Sequence, residues 1–169
     1  MNTNKHKKTS TQDAPLVSIV TISYNHAAFI EEALNSFVNQ HVDFSFEIVI
    51  ADDASTDTTQ AIISKYAQKY PHLIRPILRK KNIGAVPNSI DSLRHARGTY
   101  IALCEGDDYW IDTHKLQKQV DYFRKHAKTS LRFSPTKVKF EAGNRKSTIW
   151  PENISVETIH VSNLIKENY

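Results

Sequence analysis

The chain has 169 residues, room for one domain with a real core and not for a second large one. Apolar residues make up 40% and charged residues 24%, with only 4 Gly and 6 Pro, which excludes collagen-like and wholly disordered chains. Part of the net charge of +4 sits at Lys5, Lys7 and Lys8, so the remainder is nearly neutral and nucleic acid is not an expected partner.

Residues 1–14 are polar and read as a disordered basic tail, a solvated terminus because no aromatic residue is interleaved with the lysines. They lack the apolar run of a signal peptide, and no stretch approaches the ~20 apolar residues of a membrane span. Cys104 is the only cysteine, which excludes an internal disulfide and a cysteine-based metal site. A cytoplasmic location, with at most peripheral association at the inner membrane face, is the expectation. Asn153-Ile154-Ser155 is then a chance sequon.

The domain is expected to begin at Pro15. Val17 to Ile22 is a β-branched run suited to a buried strand, and Ile30, Leu34, Phe37 and Val38 mark one face of a helix over 27–40. Phe46 to Ala51 predicts a second strand. Asp57 and Gln60 have the spacing of a capping box for a helix carrying Ile63, Tyr66, Ala67 and Tyr70, which Pro71 ends. Leu73 to Leu78 predicts a third strand, followed by a basic loop in which Gly84 permits a tight path. A helix is expected from Pro87 to Arg97, with Gly98 as its left-handed stop, then a strand from Tyr100 to Cys104. Asp112 can cap a last helix bearing Leu116, Val120 and Phe123 and ending in Arg124, Lys125 and His126.

Strands alternate with helices through residue 126, which predicts an α/β fold: a Rossmann-like, mostly parallel sheet with helices on both faces. Residues 127–169 read as a short irregular appendage to this single domain of 15–169, with an exposed strand near Lys137 to Glu141, a turn over 141–146 and a helix over 161–168. The stop after a helix suggests a truncated domain.

Ligands of open α/β sheets bind at the carboxyl ends of the strands. Three predicted strands end there in polar groups: Ser23-Tyr24-Asn25-His26, Asp52 to Asp57, and Glu105-Gly106-Asp107-Asp108. Glu105, Asp107 and Asp108 repel one another and would share a proton or recruit a divalent ion, with oxygen ligation selecting Mg²⁺ or Mn²⁺. Adjacent acids exceed what one helix cap requires, whereas Asp112 needs no role beyond capping. Asp52 or Asp53 can face the crevice and accept from a base N–H or ribose hydroxyl, and Tyr24 can stack on a flat ring or simply pack. The 8 His residues are scattered without a paired ligand spacing, and most read as surface groups. No glycine-rich dinucleotide fingerprint or P-loop occurs.

Four motifs in order, Val17 to Asn25, Asp52 to Asp57, Asn82-Ile83-Gly84 and Gly98 to Asp108, resemble those of the inverting nucleotide-sugar glycosyltransferases of family 2, with the GT-A fold. The resemblance covers residues 16–126. It implies a donor site for a UDP-sugar or other nucleotide sugar, with Asp53, followed by Asp52, on the base and Tyr24 nearby. Asp107 would serve donor and metal together, with Asp108 and Glu105 as further metal carboxylates, and the acceptor would be a glycan or lipid-linked hydroxyl. Three departures stand out. Glu105 replaces a more usual Asp; an Arg often found after the Asn-x-Gly motif is absent, leaving Arg94, Lys80 or Lys81 to supply charge; and Glu141, Glu152, Glu157 and Glu167 match no catalytic base. The base is therefore expected beyond Tyr169. The alternatives are a nucleotide-sugar-binding module without base or acceptor site and, more remotely, a receiver-like or phosphatase-like domain phosphorylated on Asp52 or Asp53.

Overall fold

The computed structural model describes residues 14–139 and 146–150. The chain divides into two compact units, residues 1–126 and 127–169. In the first, the elements are β1 (Val17–Ser23), α1 (Ile30–Val38), β2 (Phe46–Asp52), α2 (Thr59–Lys69), β3 (Ile74–Leu78), α3 (Ala85–Arg94), β4 (Tyr100–Leu103) and α4 (Lys115–Lys125). The four strands form one parallel sheet in the order β3-β2-β1-β4.

Alternation along the strands sorts side chains onto two unlike faces. Val17 and Ile19 of β1 and Ile48 and Ile50 of β2 join the apolar cluster formed with Ile30, Leu34 and Phe37 of α1, Ile63 and Tyr66 of α2, and Leu116 and Val120 of α4. The α1 residues fall at i, i+4 and i+7, the stripe of a helix laid on a sheet. Phe37 is fully buried and meets Trp110 edge to face at 5.0 Å, a burial that contributes ~2–3 kcal/mol. Across the sheet the opposite face carries Ser18 and Glu47, and α3 packs there through the buried Asn88 and Ser92. Asn88 donates from Nδ2 to the Ala51 carbonyl at 2.9 Å.

Helices therefore cover both faces, as expected, but several local expectations give way. The turn from Ala27 to Phe29 precedes α1, because the His26 carbonyl accepts the amides of both Phe29 and Ile30. α3 starts at Ala85, so Pro87 is its third residue, where the missing N–H belongs to the unpaired first turn in any case. The same helix ends at Arg94 with His95 as its cap, and Gly98 does not have a positive φ. Gly98 is required for another reason: a Cβ there would lie 2.5 Å from the Ser18 nitrogen. Its amide donates to Ser18 Oγ at 2.8 Å.

Asp57 does not form the expected capping box. Its Oδ1 accepts from the amide and hydroxyl of Thr59, while Gln60 turns away to Asp52 Oδ1 at 2.7 Å and the Arg79 carbonyl at 3.0 Å. Asp112 holds the turn into α4 by accepting the His114 amide and pairs with Lys118 at 2.8 Å.

In the second unit, β5 (Thr136–Val138) pairs antiparallel with β6 (Thr148–Trp150). The strand expected near residue 137 thus starts one residue earlier and has a partner. The basic lysines, the 141–145 part of the expected turn, Glu141, Glu152, Glu157, Glu167, the sequon, the helix expected over 161–168 and Tyr169 lie outside the described residues. Among the described residues no helix is long and apolar enough to cross a membrane.

Candidate functional site

The strand order reverses between β1 and β4, because β2 and β3 continue on one side of β1 while β4 lies on the other. At such a switch point, loops leave the strand ends in opposite directions and open a crevice. A cavity of about 210 Å³ lies there, lined in part by Tyr24, His26, Asp53, Asn82, Gly84, Asn88 and Glu105. Each expected motif sends at least one residue to it. The main-chain ladder runs on past the strands: the amides of Asp53, Arg79 and Gly106 donate to the carbonyls of Ser23, Asp52 and Ile22.

The adjacent acids at the end of β2 have different surroundings. Asp52 is completely buried, and each of its oxygens accepts two hydrogen bonds: Oδ1 from the Ser55 amide (2.9 Å) and Gln60 Nε2 (2.7 Å), Oδ2 from Ser23 Oγ (2.9 Å) and Ser55 Oγ (2.5 Å). All the usual lone-pair sites of its carboxylate are filled. Asp53 accepts one bond on each oxygen, from the Ile83 amide (2.9 Å) and the Gly84 amide (2.8 Å). It therefore pins the Asn82-Ile83-Gly84 loop and retains acceptor capacity toward the cavity. Gly84 has φ 92°, a left-handed conformation that lets its amide reach Asp53 at the mouth of α3.

Arg79 is the cation that approaches Asp53. Its Nε lies 4.0 Å from Asp53 Oδ1, and the guanidinium is held by Asn88 Oδ1 (2.8 Å) and Asp91 (2.5 Å). Lys80, Lys81 and Arg94 are exposed and do not line the cavity. The charge expected from them is thus absent from its wall.

Tyr24 stands on the rim, 45% exposed. Asn25, next to it, adopts φ 57° and ties the first loop to the second by accepting the Thr56 amide at 2.8 Å. On the β4 side, Glu105 lines the cavity, while Asp107 and Asp108 follow as exposed residues beyond the buried Gly106. Burial, with the neighbouring Asp107 charge adding to it and His26 opposing, raises the Asp108 carboxyl above the usual carboxylate range. Glu105, Asp107 and Asp108 do not form a ready three-carboxylate cage: among the described residues no three His, Cys, Asp or Glu groups are placed to hold an ion together. Cys104, at the same strand end, is pushed up to about 12 by burial. The catalytic base expected beyond Tyr169 lies outside the described residues, and the carboxylates that gather at the cavity belong to the ends of β2 and β4.

Sequence reasoning gives no role to His26, Asn88 or Arg79. It sets His26 in the polar run at the end of the first strand without a function of its own; His26 lines the cavity and its Nε2 is 3.9 Å from Asp107 Oδ2. Its position next to the Tyr24-Asn25 pair is the available signal. Asn88 and Arg79 act through contacts between different elements, which no local pattern encodes.

Comparison with known proteins shows the family and fold to which the chain is similar. A protein of Mycobacterium tuberculosis strain H37Rv, described as uncharacterized, is 49% identical over 156 residues, covering 90% of this chain and 45% of its own. The putative teichuronic acid biosynthesis glycosyltransferase TuaG of Bacillus subtilis is 36% identical over 108 residues, covering 64% of this chain and 42% of TuaG. Among solved structures, S. aureus TarS 1-349 in complex with UDP superposes with TM-score 0.57 at 31% identity, covering 66% of this chain and 32% of that one. The mannosyltransferase PcManGT from Pyrobaculum calidifontis, in complex with GDP-Man and Mn²⁺, gives TM-score 0.58 at 27% identity, over 66% of this chain and 33% of its own. The chain thus spans less than half the length of these relatives. The pattern describing "Glycosyl transferase family 2" matches residues 18–165, and the chain belongs to that family.

Proposed function

We propose that the chain carries the donor site of an inverting glycosyltransferase, which moves a sugar from a nucleoside diphosphate sugar, a UDP-sugar by preference, to a glycan or lipid-linked acceptor. The observation that carries this reading is the cavity at the β1/β4 switch point, with Tyr24, Asp53 and Glu105 on its wall. Its volume suits a base and ribose, with the diphosphate directed along the β4 end. Asp53 accepts a base N–H with the lone pairs left by Ile83 and Gly84. Asp52 has none to offer and acts by building the loop. Tyr24 stacks on the base from the rim.

The donor set at the β4 end suits a hard divalent ion, Mn²⁺ or Mg²⁺. Asp107 and Asp108 supply carboxylate oxygens without closing a cage, the arrangement expected of an ion that brings phosphate oxygens of its own. The Asp108 carboxyl is raised first by burial and then by the Asp107 charge, and a cation would offset the second of these. When bound, such an ion offsets the charge that builds on the departing nucleoside diphosphate. Glu105 adds a further carboxylate on the cavity side. The UDP bound to TarS and the Mn²⁺ bound to PcManGT support these assignments, and the naming of TuaG for teichuronic acid biosynthesis supports a glycan acceptor.

Calorimetric titration with UDP, with and without Mn²⁺, tests the reading on the natural chain and on the Asp107→Asn/Asp108→Asn variant. Metal-dependent binding lost in the variant is the expected result; equal binding by both proteins overturns the metal assignment, and no binding overturns the donor site of this chain. Sugar transfer or donor hydrolysis above an Asp108→Asn control then separates an enzyme from a binding module.

A further inference from the structure

We propose that His26 is a positioning residue for this donor site, holding the Asp107 carboxylate on the rim by donating a hydrogen bond from Nε2. The inference rests on the donor-site reading above and adds a residue to it.

The backbone of His26 is fixed, because its carbonyl accepts the amides of Phe29 and Ile30 where the chain turns into α1. The imidazole is largely covered, with 21% of the side chain exposed, and points between the cavity and the β4 end. Gly106 passes directly over it. A Cβ at Gly106 would lie 2.9 Å from His26 Nδ1, 2.9 Å from Ile30 Cδ1 and 3.0 Å from the Ile22 carbonyl oxygen, so the ring and the Glu105-Gly106-Asp107-Asp108 segment fit only because residue 106 has no side chain.

The two ring nitrogens face different surroundings. Nδ1 is buried and has no hydrogen-bond partner among the described residues. Nε2 faces Asp107 Oδ2 at 3.9 Å. A neutral imidazole carries one proton. Placed on Nδ1, it would leave the Nε2 lone pair against a carboxylate, a repulsive arrangement; placed on Nε2, it points at an acceptor. The Asp107 side chain is 46% exposed, and the proposal requires its oxygen to close from 3.9 Å to hydrogen-bond length from the ring. Without that donor, Asp107 would sample other rotamers in solvent, and a carboxylate that must meet a diphosphate-bound cation would have to be ordered on binding.

Two measurements test this. Nitrogen-detected NMR of the His26 ring in its neutral form, with no ligand present, is expected to show the Nε2-protonated tautomer with an Nε2 resonance that moves in Asp107→Asn. A proton on Nδ1 overturns the proposal whether or not nucleotide binds. In calorimetry, His26→Phe is expected to lose about tenfold in Mn²⁺-dependent UDP affinity, roughly one hydrogen bond to a charged group. His26→Gln, whose amide nitrogen can approach the position of Nε2, is expected to recover most of it, and the loss in His26→Phe is expected to be larger for UDP with Mn²⁺ than for uridine, with thermal denaturation of each variant reporting the packing contribution separately. Equal UDP affinity in His26→Phe, or an equal loss for uridine, reduces the ring to packing and overturns the proposal. Failure of the natural chain to bind UDP removes the donor site, and the tautomer then decides the role of His26 alone.

Discussion

Asn25 reaches across the end of the sheet to Thr56, accepting its amide at 2.8 Å while the Asn25 amide donates to Ser55 Oγ at 2.8 Å. The loop after β1 is thereby stitched to the loop after β2. Asn25 does so with φ 57°, a conformation that Asn tolerates better than other L-residues apart from its close relative Asp. Asn25→Ala loses the side-chain acceptor and strains the backbone, and is expected to cost about 2 kcal/mol; Asn25→Gly loses only the acceptor and should cost about 1 kcal/mol. Urea denaturation of the two variants separates the contributions.

Among the described residues, Ala54 is the other one without glycine's freedom that takes a positive φ, at 63°. Ala54→Gly removes a strain of about 1 kcal/mol, offset in part by the added freedom of the unfolded chain, so a net gain of about 0.5 kcal/mol is expected. A β-branched Ala54→Val should lose more than about 1 kcal/mol, since its side chain fits that region worst. Thermal denaturation ranks the three.

Asp52 and Asp53 should respond differently to the same change. Asp52→Asn sets an amide against donors that fill the carboxylate, and is expected to lower stability by about 2–3 kcal/mol. Asp53→Asn keeps one acceptor for the Ile83-Gly84 loop, costs about 1 kcal/mol, and should weaken UDP binding by tenfold or more. Denaturation and calorimetry on each variant give the comparison.

Glu47 contributes to the acid limb of stability. Burial pushes its carboxyl up, but hydrogen bonds from Arg97, Ser18 and Arg75 outweigh that and hold it at about 2, against an ordinary 4.5. The unfolded chain thus takes up this proton first, so the contribution is complete above about pH 4.5 and is lost as the pH falls toward 2. Its full size is of order 3 kcal/mol. Glu47→Gln should lose much of this at neutral pH and flatten the decline between those pH values in denaturation curves.

Cys104 is expected to be inert. With its thiol raised to about 12 by burial, reinforced by Asp108, almost no thiolate exists near neutrality. Reaction with a disulfide reagent should be slow in the folded protein and fast in denaturant; fast labelling of the folded chain would contradict the packing described for the β4 end.

The parallel sheet was legible because its strands are short β-branched runs and the helices between them carry regular apolar stripes, as in Ile30, Leu34 and Phe37. What was not legible depends on residues far apart in sequence. Gly98 looks like a helix stop until Ser18, 80 residues away, is seen against it. Gln60 has capping-box spacing, but Asp52 and the Arg79 carbonyl draw it elsewhere. In the site, the acid pairs and Tyr24 stood out by residue type, whereas the division of labour between Asp52 and Asp53 follows from which amides happen to reach each oxygen. The place of His26 at a strand end was legible, but its contacts were not, because its environment is made by Gly106 and Asp107.

The ties among the loops have a thermodynamic consequence. Asn25 binds the first loop to the second, and Asp53 binds the second to the third, so the wall that the proposed donor site assigns to the base is assembled by contacts within the chain itself. If the proposal holds, binding a nucleoside to such a preorganised wall should involve little loss of backbone freedom, whereas the exposed Asp107 and Asp108 would have to be ordered by the diphosphate. On that proposal the base half of a donor would meet a rigid mould, and the entropic penalty of capture would fall on the phosphate half.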